Sequence, residues 1–281
     1  MKAIRVGLGW WGMRDMPLEK RWELARELGF RTVETGIGER PGSVSPGKGE
    51  KGIRKIREQA DASGIDLFFA TMRNDFLVEE EDLEREIRMA EACLQAVAWL
   101  GAKRVRMYAG LKALEATGEG AYLRMVDALK RCAKRADALG LRIALETMGA
   151  GSEIQGATRF LPTVMTDRKW LSRLMDDLPP GIGVTFDPAN LKAAAGEPID
   201  WVLPIIGERI CYVHLKDWKP GPEGWLPCAV GEASLPYREI IPAIPYDGIY
   251  LIEYEEREDF ADGVERSIEA LRRYGFSVVR A

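Results

Sequence analysis

The chain has 281 residues, 46% hydrophobic and 30% charged, with a formal net charge of −4 at pH 7. That is enough apolar material to bury a full core in one large domain or two small ones, and the acidic balance argues against a dedicated nucleic-acid binder. No apolar run approaches the roughly 20 residues that span a bilayer. The start of the chain has no long apolar stretch with a cleavage site. The four cysteines (Cys93, Cys132, Cys211 and Cys228) are far apart with no CxxC pair, which suits buried thiols better than a disulfide or zinc framework and makes the cytoplasm the simplest compartment.

In chain order, short β-branched or aromatic runs predict strands at residues 4–8, 32–35, 66–71, 104–108, 142–146, 183–186, 210–215 and 250–254. Amphipathic stretches between them predict helices at 18–28, 49–63, 80–100, 118–139, 167–178, 198–206, 235–241 and 260–274. Glycine stands at five helix exits (Gly29, Gly64, Gly101, Gly140 and Gly275), and Thr166-Asp167 offers capping oxygens before another helix. No Pro/Ser-rich linker divides the chain, so residues 1–281 are expected to form a single domain. Strands that alternate with helices run parallel, because only a crossover returns the chain in the same direction. Eight such units close most readily into a (β/α)8 TIM barrel, an α/β fold of about 250 residues; an open doubly wound sheet is the alternative. The least regular stretches, 36–48, 149–166 and 217–234, all follow strands. In a barrel they crowd the C-terminal face, where active sites are built, and their length suggests a covered pocket.

Near the start, Gly7-Leu8-Gly9-Trp10-Trp11-Gly12 matches G-x-G-x-x-G after a strand, and Glu34 ends the next strand where a ribose-binding acid would fall. This is the basis of a rival reading as an NAD-dependent oxidoreductase. Pro17 opposes it: a dinucleotide-binding helix begins inside the glycines and would carry Pro17 in its interior, where proline breaks it. Pro17 reads better in the first turn of a later helix. Of Trp10 and Trp11, one is expected to pack and the other to wall a sugar ring.

Four residues close four successive apolar runs: Glu146, Asp187, His214 and Glu253. Each alone has a structural explanation. Together, at the C-terminal ends of strands five to eight of a barrel, they would meet at one mouth. Close carboxylates repel unless a cation holds them. An oxygen-rich set with one imidazole suits Mn²⁺, Mg²⁺, Co²⁺ or Zn²⁺.

The segments Ala144-Leu145-Glu146-Thr147, Gly183-Val184-Thr185-Phe186-Asp187-Pro188-Ala189-Asn190, Val213-His214-Leu215-Lys216-Asp217 and Leu251-Ile252-Glu253-Tyr254 resemble the signature strands of the xylose-isomerase-like barrel superfamily. That superfamily of sugar phosphate isomerases/epimerases includes ketose 3-epimerases, hydroxypyruvate isomerases and inosose dehydratases. The resemblance implies one divalent ion, with Mn²⁺ favoured, held by Glu146, Asp187, His214 and Glu253, and proton transfer by Glu146 and Glu253. It also implies a small sugar or polyol substrate and a homo-oligomer, dimer or tetramer. Asn190 stands where relatives usually carry histidine, Thr147-Met148 where many carry Asn-His, and no arginine matches near Pro220, so substrate contacts must differ. With one histidine in the chain, neither the several-histidine zinc site of endonuclease IV nor the additional histidine of xylose isomerase proper is available.

The chemistry implied is proton abstraction beside a carbonyl through an enediolate, with two glutamates as acid and base. Delivery to the opposite face gives epimerisation, delivery to the neighbouring carbon gives isomerisation, and loss of a β-hydroxyl gives a lyase of the same superfamily, such as an inosose-type dehydratase or an enzyme eliminating from a 3-oxo-glycoside. Lys216, on the strand face of His214 by period two, Asn190, Asp217, Trp10 and Arg73 are the candidate substrate contacts. Arg106 either joins them or faces a helix. A non-catalytic sugar-binding barrel is the reading from another class.

Overall fold

The computed structural model describes residues 2–196 and 198–281. The first half of the chain runs β1 (Ala3–Leu8), α1 (Leu18–Glu27), β2 (Thr35–Ile37), α2 (Gly49–Ala62), β3 (Phe69–Met72), α3 (Glu80–Leu100), β4 (Arg104–Met107), α4 (Glu119–Ala138) and β5 (Arg142–Glu146). The second half runs β6 (Ala150–Ile154), β7 (Ala157–Leu161), α5 (Arg168–Asp177), β8 (Gly183–Phe186), α6 (Pro188–Ala195), α7 (Leu203–Ile206), β9 (Ile210–Leu215), β10 (Asp217–Pro220), β11 (Trp225–Cys228), α8 (Tyr237–Ala243), β12 (Ile249–Ile252), α9 (Phe260–Arg273) and β13 (Ser277–Arg280).

Eight parallel strands follow one another around a barrel in the order β1, β2, β3, β4, β5, β8, β9 and β12, and β12 returns to β1. The seam between β1 and β2 is short. Leu8 N donates to Thr32 O at 3.0 Å and Glu34 N to Leu8 O at 2.8 Å. Below this point the C-terminal strand β13 pairs with β1 and fills the gap, with Ala281 O accepting from Arg31 N and Thr32 N. The helices bury their apolar stripes against the outside of the barrel in one large core. Phe69, Ala144, Tyr212 and Leu251 form a separate buried cluster, and their strand parity places them inside the barrel as its floor.

The predicted strands and helices recur with shifts of a few residues. The five predicted exit glycines all have positive φ, 85° at Gly101 for example, and Asp167 caps α5 by accepting from Trp170 N at 3.0 Å. The four cysteines are free and buried.

Three features differ from the sequence expectation. Residues 149–166 and 217–234, read as irregular loops, form two β-hairpins that pair through Trp225 and Thr158 into a four-stranded antiparallel sheet, β10-β11-β7-β6. Its strands lack clean alternation because β6 is largely exposed on both faces. Its tight turn is Gln155-Gly156, both with positive φ, the geometry that matches strand twist in a two-residue hairpin loop. Asp187-Pro188, after which no helix was expected before residue 198, opens α6: Asp187 is its N-cap and Pro188 its first residue. The helix expected at 198–206 shrinks to α7.

The glycine motif belongs to the barrel. No α-helix begins within it; α1 starts at Leu18, directly after Pro17. A Cβ at Gly9 would lie 2.9 Å from the Glu253 Cβ, and one at Gly12 would strike the Tyr254 carbonyl oxygen and sit 2.5 Å from the Phe260 ring. These glycines therefore let the β1–α1 loop lie flat on the chain leaving β12. The buried Arg21 guanidinium ties the same loop to the next one, donating to Met16 O (2.9 Å), Arg14 O (3.0 Å) and Gly42 O (2.7 Å). Gly12→Ala is expected to destabilise the protein by about 1–3 kcal/mol through overpacking against backbone, read as a lower Tm; an unchanged Tm would show that the close approach is not obligatory.

Candidate metal centre

Inward-facing positions recur every second residue along a strand, and register aligns them between neighbours: Arg106 with Ala144, Glu146 with Thr185, Thr185 with Tyr212, and His214 with Leu251. The next inward positions are Asp187 after β8, Lys216 after β9 and Glu253 after β12. One donor atom from each of Glu146, Asp187, His214 and Glu253 lies within 4.8 Å of the others, and all four residues are buried. The sequence expectation that strand parity brings these four to one mouth is met in the structure.

His214 is wholly buried. Its Nδ1 lies 3.2 Å from Glu146 Oε1, 3.4 Å from Glu253 Oε2 and 3.8 Å from Asp187 Oδ2, while Nε2 lies 3.2 Å from Glu34 Oε1. Asp187 divides its carboxylate between two tasks. Oδ1 caps α6 by accepting from Asn190 N at 2.9 Å. Oδ2 is buried within the cluster and accepts no hydrogen bond, although Lys216 Nζ stands 3.3 Å away. Thr147 joins the ends of β5 and β8: its Oγ1 accepts from Asp187 N at 2.9 Å and donates to Asp187 O at 3.0 Å.

The other candidates take different places. Lys216 is buried and reaches Glu253 Oε2 at 2.7 Å and Glu255 Oε1 at 2.6 Å. Asn190 bridges the cluster to the hairpin sheet: its Nδ2 donates to Glu146 Oε1 at 3.4 Å, and Trp218 Nε1 donates to its Oδ1 at 3.0 Å. Trp218 packs edge-on against Phe160, 5.4 Å between centroids, so both hairpins lie over Asn190. Asp217 accepts from Trp218 N (3.1 Å) and Gly231 N (3.3 Å), anchoring the stretch behind β11 rather than joining the cluster. Trp10 is buried against Gly36, where a Cβ would lie 2.6 Å from the indole ring, and its backbone N donates to Glu34 Oε2 at 3.2 Å. Trp11 is partly exposed, stacked against Arg14 at 4.4 Å. Arg73 is exposed just past β3, on the inward parity of Thr71.

Two further residues complete the cluster. Arg106, for which the sequence left two orientations open, faces inward with Nε 3.4 Å from Glu146 Oε2 and its guanidinium 4.6 Å from the Tyr108 ring centroid. Glu34 is buried and contacts His214, Tyr212 OH and Trp10 N. Its sequence signal was a lone acid ending an apolar run, the pattern that singled out the other carboxylates.

Electrostatics follow from this crowding. Burial alone would raise the Glu146 carboxyl, but Arg106, then His214 and Lys216, outweigh it and hold it at about 2. Asp187 goes the other way: burial, reinforced by Glu146 and Glu253, pushes it to about 7 against the pull of Lys216 and His214. Burial opposes charge on His214, yet Glu253, Glu34 and Glu146 raise it well above the usual imidazole value. Lys216 is likewise raised, because Asp187, Glu253 and Glu255 outweigh its desolvation. Burial lifts Asp217 to about 6 despite its backbone donors.

The sequence pattern of the family described as Xylose isomerase-like TIM barrel matches residues 22–274, and the chain belongs to that family. No curated protein matches the chain by sequence. Among solved structures it is similar to a D-tagatose 3-epimerase-like protein, with 20% identity and TM-score 0.72 over 98% of each chain. It also resembles a probable 3-DHS dehydratase of Bacillus anthracis, 14% identical with TM-score 0.73 over 96% of this chain and 99% of the other. A third likeness is the IOLI protein with a bound zinc atom, 14% identical with TM-score 0.73 over 98% of each chain. At these identities the likeness is one of fold. No helix among the described residues is long and apolar enough to cross a membrane.

Lys216 compensates buried carboxylates that have few other cations. Lys216→Met is expected to destabilise the metal-free protein by about 3–5 kcal/mol, the cost of stranding buried charge, measured by urea denaturation; a loss below about 1 kcal/mol, the worth of an exposed pair, would mean the carboxylates find other relief.

Proposed function

We propose that the protein is a divalent-metal-dependent sugar isomerase or epimerase that moves a proton at the carbon beside a carbonyl, with Glu146 and Glu253 as acid and base. The observation that carries this reading is the pair of buried glutamates on either side of His214 Nδ1, at 3.2 and 3.4 Å, beside an Asp187 oxygen that accepts no hydrogen bond. Three carboxylates and one imidazole nitrogen are a donor set that suits Mn²⁺, Mg²⁺, Co²⁺ or Zn²⁺, and the family resemblance favours Mn²⁺ among them. A dication held by Glu146, Asp187, His214 and Glu253 would supply Lewis-acid stabilisation of negative charge developing on a substrate oxygen.

The chain's own residues supply the rest. One glutamate takes the proton and the other delivers one, to the opposite face for epimerisation or to the adjacent carbon for isomerisation. Lys216 holds Glu253, and Asn190 holds Glu146, in the geometry observed. The four cluster residues are buried, which strengthens these interactions. Arg73, at the mouth, and Lys216 and Asn190, beside the glutamates, are the direct substrate contacts in this reading. Trp10 acts through Glu34 and Asp217 through the stretch behind β11. A lyase is the second reading: the same two glutamates could remove an α-proton and assist loss of a β-hydroxyl, and a dehydratase is among the similar folds.

Metal-loaded protein incubated in deuterium oxide with ketoses, inososes and 3-oxo-glycosides is expected to incorporate deuterium beside the carbonyl without losing water; an enone or diketone product would favour the lyase. Glu146→Gln and Glu253→Gln should each slow exchange about 100-fold or more and weaken metal binding. Retention of both properties in both variants would dismiss the assignment.

Metal uptake should also depend on pH. In the metal-free protein Asp187 titrates at about 7 and His214 above its usual value, so both hold protons near neutrality that a bound cation must displace. Affinity is therefore expected to rise between about pH 6 and about pH 8, with protons released in calorimetry. A flat affinity across that range would contradict the assigned ligands.

A further inference from the structure

The three donors around Glu34 define a role that the cluster alone does not require. Glu34 is buried on the inward face after the β1–β2 seam. A carboxylate at such depth needs its oxygens satisfied. Oε1 accepts from Tyr212 OH and lies 3.2 Å from His214 Nε2; Oε2 accepts from Trp10 N at 3.2 Å. Tyr212 rises from the barrel floor on the strand of His214, its ring 5.3 Å from the imidazole centroid. Trp10 reaches in from the glycine-bearing loop. The carboxylate is thus held from two sides with one oxygen on the imidazole.

We propose that Glu34 is the positioning residue of the centre: it keeps a proton on His214 Nε2 and thereby commits Nδ1 to the metal. The inference rests on the reading of the cluster as a metal centre. A neutral imidazole has one donor nitrogen and one acceptor nitrogen, and an ionised carboxylate only accepts. The nitrogen facing Glu34 must then carry the proton. Once a cation has displaced the second imidazole proton, the lone pair falls on Nδ1, the nitrogen that Glu146, Glu253 and Asp187 surround. A lone pair among carboxylates is repelled unless a cation stands between them. A carboxylate behind a metal-bound histidine fixes its tautomer and ring orientation and raises its basicity. Glu34 thus has a function unrelated to the ribose contact that the glycine motif suggested, and the glycines serve it by bringing Trp10 N to its second oxygen.

The single histidine of the chain makes the test direct. Protein labelled with ¹⁵N in the imidazole gives one pair of ring nitrogens in nuclear magnetic resonance. With Zn²⁺ added to the wild type, the expected pattern is a protonated Nε2 and a metal-bound Nδ1. Glu34→Gln, close in shape but able to turn its amide N–H toward the ring, is expected to perturb that pattern and to weaken Zn²⁺ binding about 10–100-fold. Tyr212→Phe leaves the charge but removes one of its anchors, so a smaller loss in the same direction is expected, and it serves if Glu34→Gln does not fold. A merely structural role would lower Tm and leave the ring pattern and affinity of the folded fraction unchanged. Zn²⁺ on Nε2 in the wild type, or Glu34→Gln or its substitute Tyr212→Phe with wild-type pattern and affinity, overturns the proposal. A wild-type spectrum that does not respond to Zn²⁺, Mn²⁺ or Co²⁺ overturns the metal-centre reading instead.

Discussion

Crowding of like charge in a closed barrel mouth is the constraint on which the rest of the structure turns. Glu34, Glu146, Asp187 and Glu253 converge on His214, Glu255 joins them through Lys216, and among the described residues the cations drawn in with them are Arg106 and Lys216. Two fixed positive charges do not balance five carboxylates. Buried ionised groups without partners are costly, so the cluster stores an electrostatic demand that protons relieve in part. The raised Asp187 and His214 show where those protons reside. A dication in their place would satisfy the same demand and leave the two glutamates as bases.

The surrounding architecture serves that demand. Thr147 links the ends of β5 and β8, Asp187 is held by its own capping role in α6, and Asn190 carries the tie on to Trp218 in the covering sheet. The glycines after β1 allow the first loop to approach Glu253 closely enough for Trp10 to hold Glu34. The residues of the cluster are held by groups from other elements of the barrel, which is how a parallel barrel builds a rigid site from residues far apart in sequence.

What could be read from sequence divides along physical lines. Alternation of apolar strands with amphipathic helices is local and strong, so the barrel was legible, as was the meeting of four residues that each end an apolar run. The hairpin sheet was not, because β6 and β7 are short, and β6 is largely exposed and carries Gly151 in place of an alternating apolar face. Helix α6 was missed although its signal was present: an N-capping Asp followed by Pro at the first position reads as a helix start as readily as a turn. Glu34 was noticed for the wrong reason. Its partner His214 lies 180 residues away, and only closure of the barrel brings them together. Arg106 stayed ambiguous because parity alone does not say which face of a strand is the interior.

In the proposed reading the four strand-end residues hold one divalent ion. The most direct measurement is anomalous X-ray scattering from a crystal soaked with Mn²⁺. A single peak bound by Glu146, Asp187, Glu253 and Nδ1 of His214, with Nε2 still facing Glu34, is the predicted result. A barrel mouth with no anomalous peak, and Lys216 still occupying the carboxylates at saturating metal, would contradict it.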